Sequence, residues 1–278
     1  MSLQQYRGRG VAVQPAFRGR RGRGIIRPMP APRLRAWPRA RDARTAYVDD
    51  VFRRVAPRYD RLTRLLSLGG DRRWKKDAVD LLPSRGDAGR VLDLATGTAD
   101  FPILLRAAGR RDPVTALDRS VEMLSRGRLK CASLSGIRFV RGDLNRLPFA
   151  PASFDAVLFG YGWRYFDDLE GAARSLHSLL KPGGTLVTLD FGVPRAGWYR
   201  RICFGYLLVF GTLWGLVLHG RLDTYWHIVE SLRAWPGQEA LARALERAGF
   251  RDTAIVERLG GISVLARAER AAEAPGAG

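Results

Sequence analysis

The 278 residues carry 47 Lys and Arg against 27 Asp and Glu, a formal net charge of +20. That length suits one large α/β domain plus a tail. Cys131 and Cys203 have no neighbouring Cys or His at ligand spacing, which excludes a disulfide framework and a zinc site.

Residues 1 to 41 hold eleven Arg and no acidic residue, so they supply +11 of the +20. The run Arg18-Gly-Arg-Arg-Gly-Arg-Gly24 and the spaced prolines from Pro28 to Pro38 cannot bury a core, and residues 1–44 are expected to be a disordered extension. Arg27 directly follows Ile25 and Ile26, so no apolar secretory segment forms, and a cytoplasmic protein is expected. The domain is expected over 45–268, with 269–278 frayed.

From Arg44 the pattern becomes helical. Tyr47, Val48, Val51, Phe52 and Val55 recur at helix spacing; Tyr59, Leu62, Leu65 and Leu66 mark a second helix that stops at Gly69-Gly70. A third helix runs through Trp74, Val79 and Leu82 to Pro83, with Asp71 as its expected N-cap. These helices either lid a cofactor pocket or merely pack on the sheet.

The stretch Val91-Leu-Asp-Leu-Ala-Thr-Gly-Thr-Ala-Asp100 reads as a buried strand, a tight turn and the start of a helix. This is the first βα turn of a doubly wound sheet, whose ligands sit beyond the carboxyl ends of the strands. The three-glycine dinucleotide pattern is absent. Asp93 and Asp100 would repel a pyrophosphate but suit a cation, which favours S-adenosylmethionine over NAD. Asp118 ends the next strand, where such folds place a ribose-hydroxyl acceptor.

Further strand and helix units follow: Val114–Asp118 with the helix from Val121 to Leu129, Ile137–Val140 leading to Asp143, and Ala156–Phe159 leading to the helix from Leu169 to Leu180. Lys181-Pro-Gly-Gly184 is read as a turn before the strand Thr185–Phe191. The helix Gln238–Ala248 precedes strands Ala254–Val256 and Ile262–Ala266, joined at Leu259-Gly-Gly261 as an antiparallel hairpin. The predicted fold is α/β: a doubly wound, mainly parallel seven-stranded sheet with N-terminal helices and a final antiparallel hairpin.

The chain from about Tyr47 to Arg267 resembles the ubiquinone/menaquinone biosynthesis C-methyltransferases, within the class I S-adenosylmethionine-dependent methyltransferases. The most specific matches are Phe52-Arg-Arg-Val-Ala-Pro-Arg-Tyr-Asp60, Leu65-Leu-Ser-Leu-Gly69, Asp71-Arg-Arg-Trp74, Tyr225-Trp-His-Ile-Val-Glu-Ser-Leu232 and Trp235-Pro-Gly-Gln238. The resemblance implies cofactor contacts at Thr98, Asp118, Asp143 and Leu144, beside Asp93 and Gly97 of the first turn. Asp118 would accept from the ribose hydroxyls and Asp143 from the adenine amino group. A serine of the family after the fourth strand is Gly160 here. Other departures are Ala99 for a Gly, Thr63 for an Asn, Arg53 for an Asp and Tyr165 for an Asn. Ala99 is expected at negative φ, since a Cβ is costly at positive φ.

The resemblance further implies methylation of a prenylated quinol in menaquinone or ubiquinone biosynthesis, with no metal required. Arg164 occupies the position of an Arg considered for the family's site. An arginine holds its proton too tightly to serve as a base, so its expected role is to stabilise a phenolate or to orient a water. Tyr225 is a second catalytic candidate, and His227 is expected on a helix surface. Methylation of another small aromatic, or of RNA bound through the basic tail, are the competing readings. The domain lacks an aromatic motif for a flipped base, so no specific nucleic acid is expected.

Ile202 to Gly220 contains no charged residue and is bracketed by Arg200-Arg201 and Arg221. A bilayer span needs about 20 apolar residues, so the length would suffice. Yet it lies between strands of one sheet, which a single crossing would separate. It is therefore expected to cover the substrate pocket and dip into the inner face of the membrane; the alternative is a buried core helix.

Overall fold

The apolar runs of the central strands have side chains buried on both faces, as a parallel sheet between helices demands. In the computed structural model, which describes residues 13–14, 41–84, 89–220 and 225–272, this alternation is explicit. Leu92, Leu94, Val157, Phe159 and Leu186 enter one core with Ala173, Leu176, Leu241 and Leu245, whereas Val91, Ala156, Leu158, Val187 and Leu189 enter the other with Trp74, Ala78, Val79 and Leu105.

The strands are β1 (Val91–Leu94), β2 (Val114–Asp118), β3 (Ile137–Arg141), β4 (Phe154–Gly160), β5 (Leu180–Phe191), β6 (Phe250–Arg258) and β7 (Ser263–Arg270). Their order across the sheet is β6-β7-β5-β4-β1-β2-β3. The pairs β1·β2, β1·β4, β2·β3 and β4·β5 are parallel, while β7 is antiparallel to both β5 and β6. Val13–Gln14 adds a two-residue antiparallel pairing onto β6, at one point of the segment expected to be wholly an extension. The remaining expectations for residues 1–40 and for 273–278 lie outside the described residues.

Helices α1 (Arg41–Val55), α2 (Tyr59–Leu66) and α3 (Gly70–Asp80) precede the sheet. They are followed by α4 (Asp100–Ala107), α5 (Val121–Lys130), α6 (Leu169–Leu179), α7 (Gly197–His219), α8 (Trp226–Ala234) and α9 (Gln238–Arg247). The N-cap of α3 is Gly69, at φ 81°, rather than Asp71. The helix begins earlier than expected, so Asp71 lies inside its first turn, where its carboxylate accepts from buried Lys75 at 2.7 Å. Lys181-Pro-Gly-Gly184 falls within the span of β5 but is looped out as the expected turn, between Leu180 opposite Phe154 and Thr185 opposite Ala156, with Gly183 at φ 78°. Glu269 and Arg270 remain in β7, paired with Thr185 and Phe250, beyond the expected end of the domain.

Helix α7 begins at Gly197, and the apolar segment is not a core helix: only 11% of its most apolar window is buried. Its length and composition would suffice to cross a bilayer. However, β5 before it and β7 after it pair in one sheet. It packs through Gly211 and Gly215, and Trp214 and Leu218 meet the small core around Val51, Val55 and Leu62.

Candidate active site

The strand order reverses between β1 and β4, and there the carboxyl ends of β1, β2 and β4 open a cavity. Gly97, Asp118, Asp143, Leu144 and Gly160 line it, with Phe52, Tyr59, Tyr161 and Tyr165 along one side. This is where a doubly wound sheet binds its ligand.

The turn after β1 is bent by three positive-φ residues, Ala95 (55°), Gly97 (54°) and Ala99 (66°). Ala99 thus departs from the expected negative φ. A Cβ on Gly127 of α5 would lie 3.1 Å from the Ala99 Cβ, so Gly127 makes the room that Ala99 needs. The bend aims the Gly97 N–H at the Asp118 carboxylate, which accepts it at 2.8 Å and accepts the Ser120 N–H at 2.8 Å. Burial lifts the Asp118 pKa despite those two N–H groups. The carboxylate borders the cavity and each of its oxygens retains a lone pair, so it fits a ribose diol.

Asp143 accepts from Arg119 at 2.6 Å and from the Asn145 N–H at 2.9 Å. Arg119 also grips Asp49 of α1 at 2.9 Å, which draws α1 over the cavity. Thr45, Val48, Asp49 and Phe52 of α1 line its wall, so the first helix does more than pack on the sheet. Gly160 is explained by its neighbour: a Cβ there would lie 2.8 Å from the Phe101 ring, so the ring takes the space of a serine side chain.

Two expected contacts do not reach this cavity. Asp93 is wholly buried, and one of its oxygens accepts from Thr96 while the other has no partner among the described residues. Burial pushes its carboxyl up to about 8, against hydrogen bonding by Thr96 that would lower it. Thr98 turns away, donating to Asp60 at 2.5 Å and accepting from Lys130 at 3.1 Å.

A second cavity adjoins the first, sharing Phe52, Tyr59, Tyr161 and Tyr165. Arg164, Phe191, Tyr225, His227 and Ile228 complete much of its lining. Arg164 and Asp190 form an ion pair at 2.7 Å with only 3% of each side chain exposed. Burial alone would lower the Arg164 pKa, but Asp190 raises it, so the guanidinium stays charged. It lies 5.5 Å from the Tyr165 ring centre and 5.3 Å from that of Phe191. The Tyr225 hydroxyl is buried without a hydrogen-bond partner among the described residues, and burial raises its pKa. His227 is buried, contrary to the surface expectation, edge-on to Phe52 and Tyr47 from α1.

Beside these cavities, along a groove lined by Asp60, Asp71, Lys75, Asp100 and Lys130, runs a chain of charges that sequence reasoning missed. Tyr161 donates to Asp71 at 2.8 Å; Lys75 joins Asp71 to Asp100 at 2.7 and 2.8 Å; Lys130 joins Asp100 to Asp60 at 2.6 and 2.8 Å. Burial would raise the Asp100 pKa, but Lys75 and Lys130 hold it down to about 2. One signal was available: with only four lysines in an arginine-rich chain, Lys75 and Lys130 are conspicuous.

The sheet order, the cavity at its switch point and the Asp118 acceptor define a class I S-adenosylmethionine-dependent methyltransferase. The chain belongs to the ubiE/COQ5 methyltransferase family, whose model matches residues 40–269. It is 40% identical over 204 residues, 72% of this chain and 91% of the relative, to a demethylmenaquinone methyltransferase of Thermus thermophilus. It is 35% identical over 223 residues, 78% of this chain and 86% of the relative, to the ubiquinone/menaquinone biosynthesis C-methyltransferase UbiE of Rhizobium leguminosarum. Among solved structures, a SAM-dependent methyltransferase from Thermotoga maritima superposes with TM-score 0.54 at 20% identity, covering 80% of this chain and 99% of that one.

Proposed function

We propose that the enzyme methylates a ring carbon of a demethylated, prenylated naphthoquinol, as the names of its relatives suggest. The observation that carries this reading is the second cavity: aromatic walls for a flat ring, one buried guanidinium, and a shared side with the cofactor cavity. S-adenosylmethionine supplies an electrophilic methyl group on a sulfonium when bound. Gly97, Asp118, Asp143, Leu144 and Gly160 hold it, with Asp93 and Thr98 supporting the turn from behind. Placing ring and methyl in line can remove roughly 7–11 kcal/mol of barrier. Arg164 would stabilise the quinol as phenolate, which raises electron density at the ring carbon. As that carbon gains the methyl group, the electron pair of the broken S–C bond stays on sulfur, and the ring-carbon proton leaves to solvent as the aromatic ring is restored. With its raised pKa, the Tyr225 hydroxyl serves as a hydrogen-bond donor to the ring oxygen rather than as a base.

The prenyl tail places the substrate in a bilayer, and α7 reaches it there. Trp198, Ile202, Val209, Leu213, Leu216 and Val217 are exposed, at spacings that put them along one stripe. Arg200 and Arg201 flank its start. The enzyme is thus cytoplasmic and docks reversibly on the inner face of the membrane. Offering demethylated naphthoquinol and benzoquinol together with labelled S-adenosylmethionine tests the substrate. Preferential labelling of the naphthoquinol is expected, and preferential labelling of the benzoquinol would refute it.

A further inference from the structure

At the carboxyl end of α7 the surface changes from apolar to cationic. Arg54, Arg58, Arg61, Arg126 and His219 surround a crevice of about 600 Å³, with Asp60 at its edge. The one acid does not neutralise them: Asp60 is already held by Lys130 at 2.8 Å and by Thr98. Arg54 pairs with Asp50 at 2.7 Å, and Arg58 donates to the Leu218 carbonyl, which fastens the crevice to the last turn of α7. Arg61 and Arg126 make no hydrogen bond or ion pair among the described residues, and both are exposed.

His219 adds a second observation: its Nε2 is buried and has no hydrogen-bond partner among the described residues. Burial first, then the positive charges of Arg58 and Arg54, keep its pKa below the usual range. Guanidinium groups bind phosphate oxygens in pairs through parallel N–H bonds. Leu216 and Val217, exposed members of the apolar stripe, are within one turn of His219.

We infer that this crevice is a binding site for the phosphate of an anionic lipid headgroup, with Arg61 and Arg126 as its free ligands. The inference rests on the membrane reading above, and it adds a specific anchor to it. The apolar stripe enters the acyl region while the crevice holds a headgroup at the helix end, which fixes how α7 lies on the surface.

Vesicles of phosphatidylcholine, with and without a minority of phosphatidylglycerol, test this using the full chain. Arg61→Gln/Arg126→Gln is compared with Arg243→Gln/Arg251→Gln, which removes the same charge from exposed positions of α9 and β6. The first pair should weaken binding to the anionic vesicles about thirty-fold, the weight of two basic residues at such a surface, and the second less than about three-fold. Turnover on a short-chain, water-soluble quinol should be unchanged in both. Equal losses would mean diffuse charge attraction and overturn the site. So would intact vesicle binding in Arg61→Gln/Arg126→Gln accompanied by loss of inorganic phosphate binding in calorimetry, since the crevice would then take a soluble anion. Should Leu213→Asp abolish vesicle binding while the arginine pair does not, the site fails and the membrane reading stands. Absence of vesicle binding by the unaltered enzyme would refute both.

Discussion

Replacing Arg164 by Lys keeps the positive charge and removes the planar fork, so it separates two roles of this residue. In the structure the guanidinium reaches Asp190 at 2.7 Å and lies over Tyr165 and Phe191 within 5.5 Å. Lysine can still pair with Asp190, so no buried charge is left alone. The two ring contacts are lost or weakened, at about 0.5–1 kcal/mol each. A lost charge-assisted bond to the phenolate is worth about 1.5–3 kcal/mol, or a roughly 10- to 150-fold fall in turnover. Arg164 borders the second cavity and not the first, so affinity for S-adenosylmethionine should hold. Asp190→Asn is the contrasting case: it strands a 97%-buried guanidinium (3% exposed) and should cost about 3–5 kcal/mol of stability. Steady-state kinetics at saturating quinol, calorimetry of cofactor binding and thermal melts read these three effects. Wild-type turnover in Arg164→Lys, or an equal loss of cofactor affinity, would refute the assignment.

Asp118→Ala removes the acceptor facing the cavity and should weaken S-adenosylmethionine binding by about 1.5–3 kcal/mol in calorimetry; unchanged affinity in a folded variant would rule that role out. Asp93 gives a pH signature. The unfolded chain releases this proton near 3.8 and the folded chain near 8, so folding takes up a proton between these values and stability falls as pH rises through that window. Urea unfolding of Asp93→Asn should show a shallower fall, whereas parallel pH profiles would contradict the shift. Gly160→Ser should destabilise by about 1–3 kcal/mol because its Cβ meets the Phe101 ring, and Phe101→Leu should recover part of the loss. Leu213→Asp on the exposed stripe should impair turnover of a long-chain quinol and spare a short-chain one; equal impairment would assign α7 a structural role only.

The central strands were legible because a sheet covered on both faces needs continuous apolar runs, and β1, β2, β4 and β5 have them. Gly97, Asp118, Asp143, Leu144 and Gly160 were legible as a group because each stands at a strand end, and parallel strands bring those ends together. The direction of the Thr98 side chain was not legible, because spacing locates the turn without showing which way a side chain turns; Asp60, 38 residues earlier, decides that. His227 was misread for the same reason: the rings that bury it, Phe52 and Tyr47, come from the far end of the chain. Asp190 carried a local signal, an acid inside an otherwise apolar strand, but its partner Arg164 lies on another segment. The arginine crevice could not be read at all, since its members come from α1 and its sequel, α5 and α7.

The most direct measurement is the product itself. The enzyme is supplied with S-adenosylmethionine carrying a ¹³C-labelled methyl group and with a demethylated naphthoquinol in vesicles, and the product is examined by NMR. The account predicts a labelled methyl bonded to a quinol ring carbon, and its loss in Asp118→Ala and Arg164→Lys. A label on oxygen, or no labelled naphthoquinol while another aromatic acceptor is methylated, would contradict it.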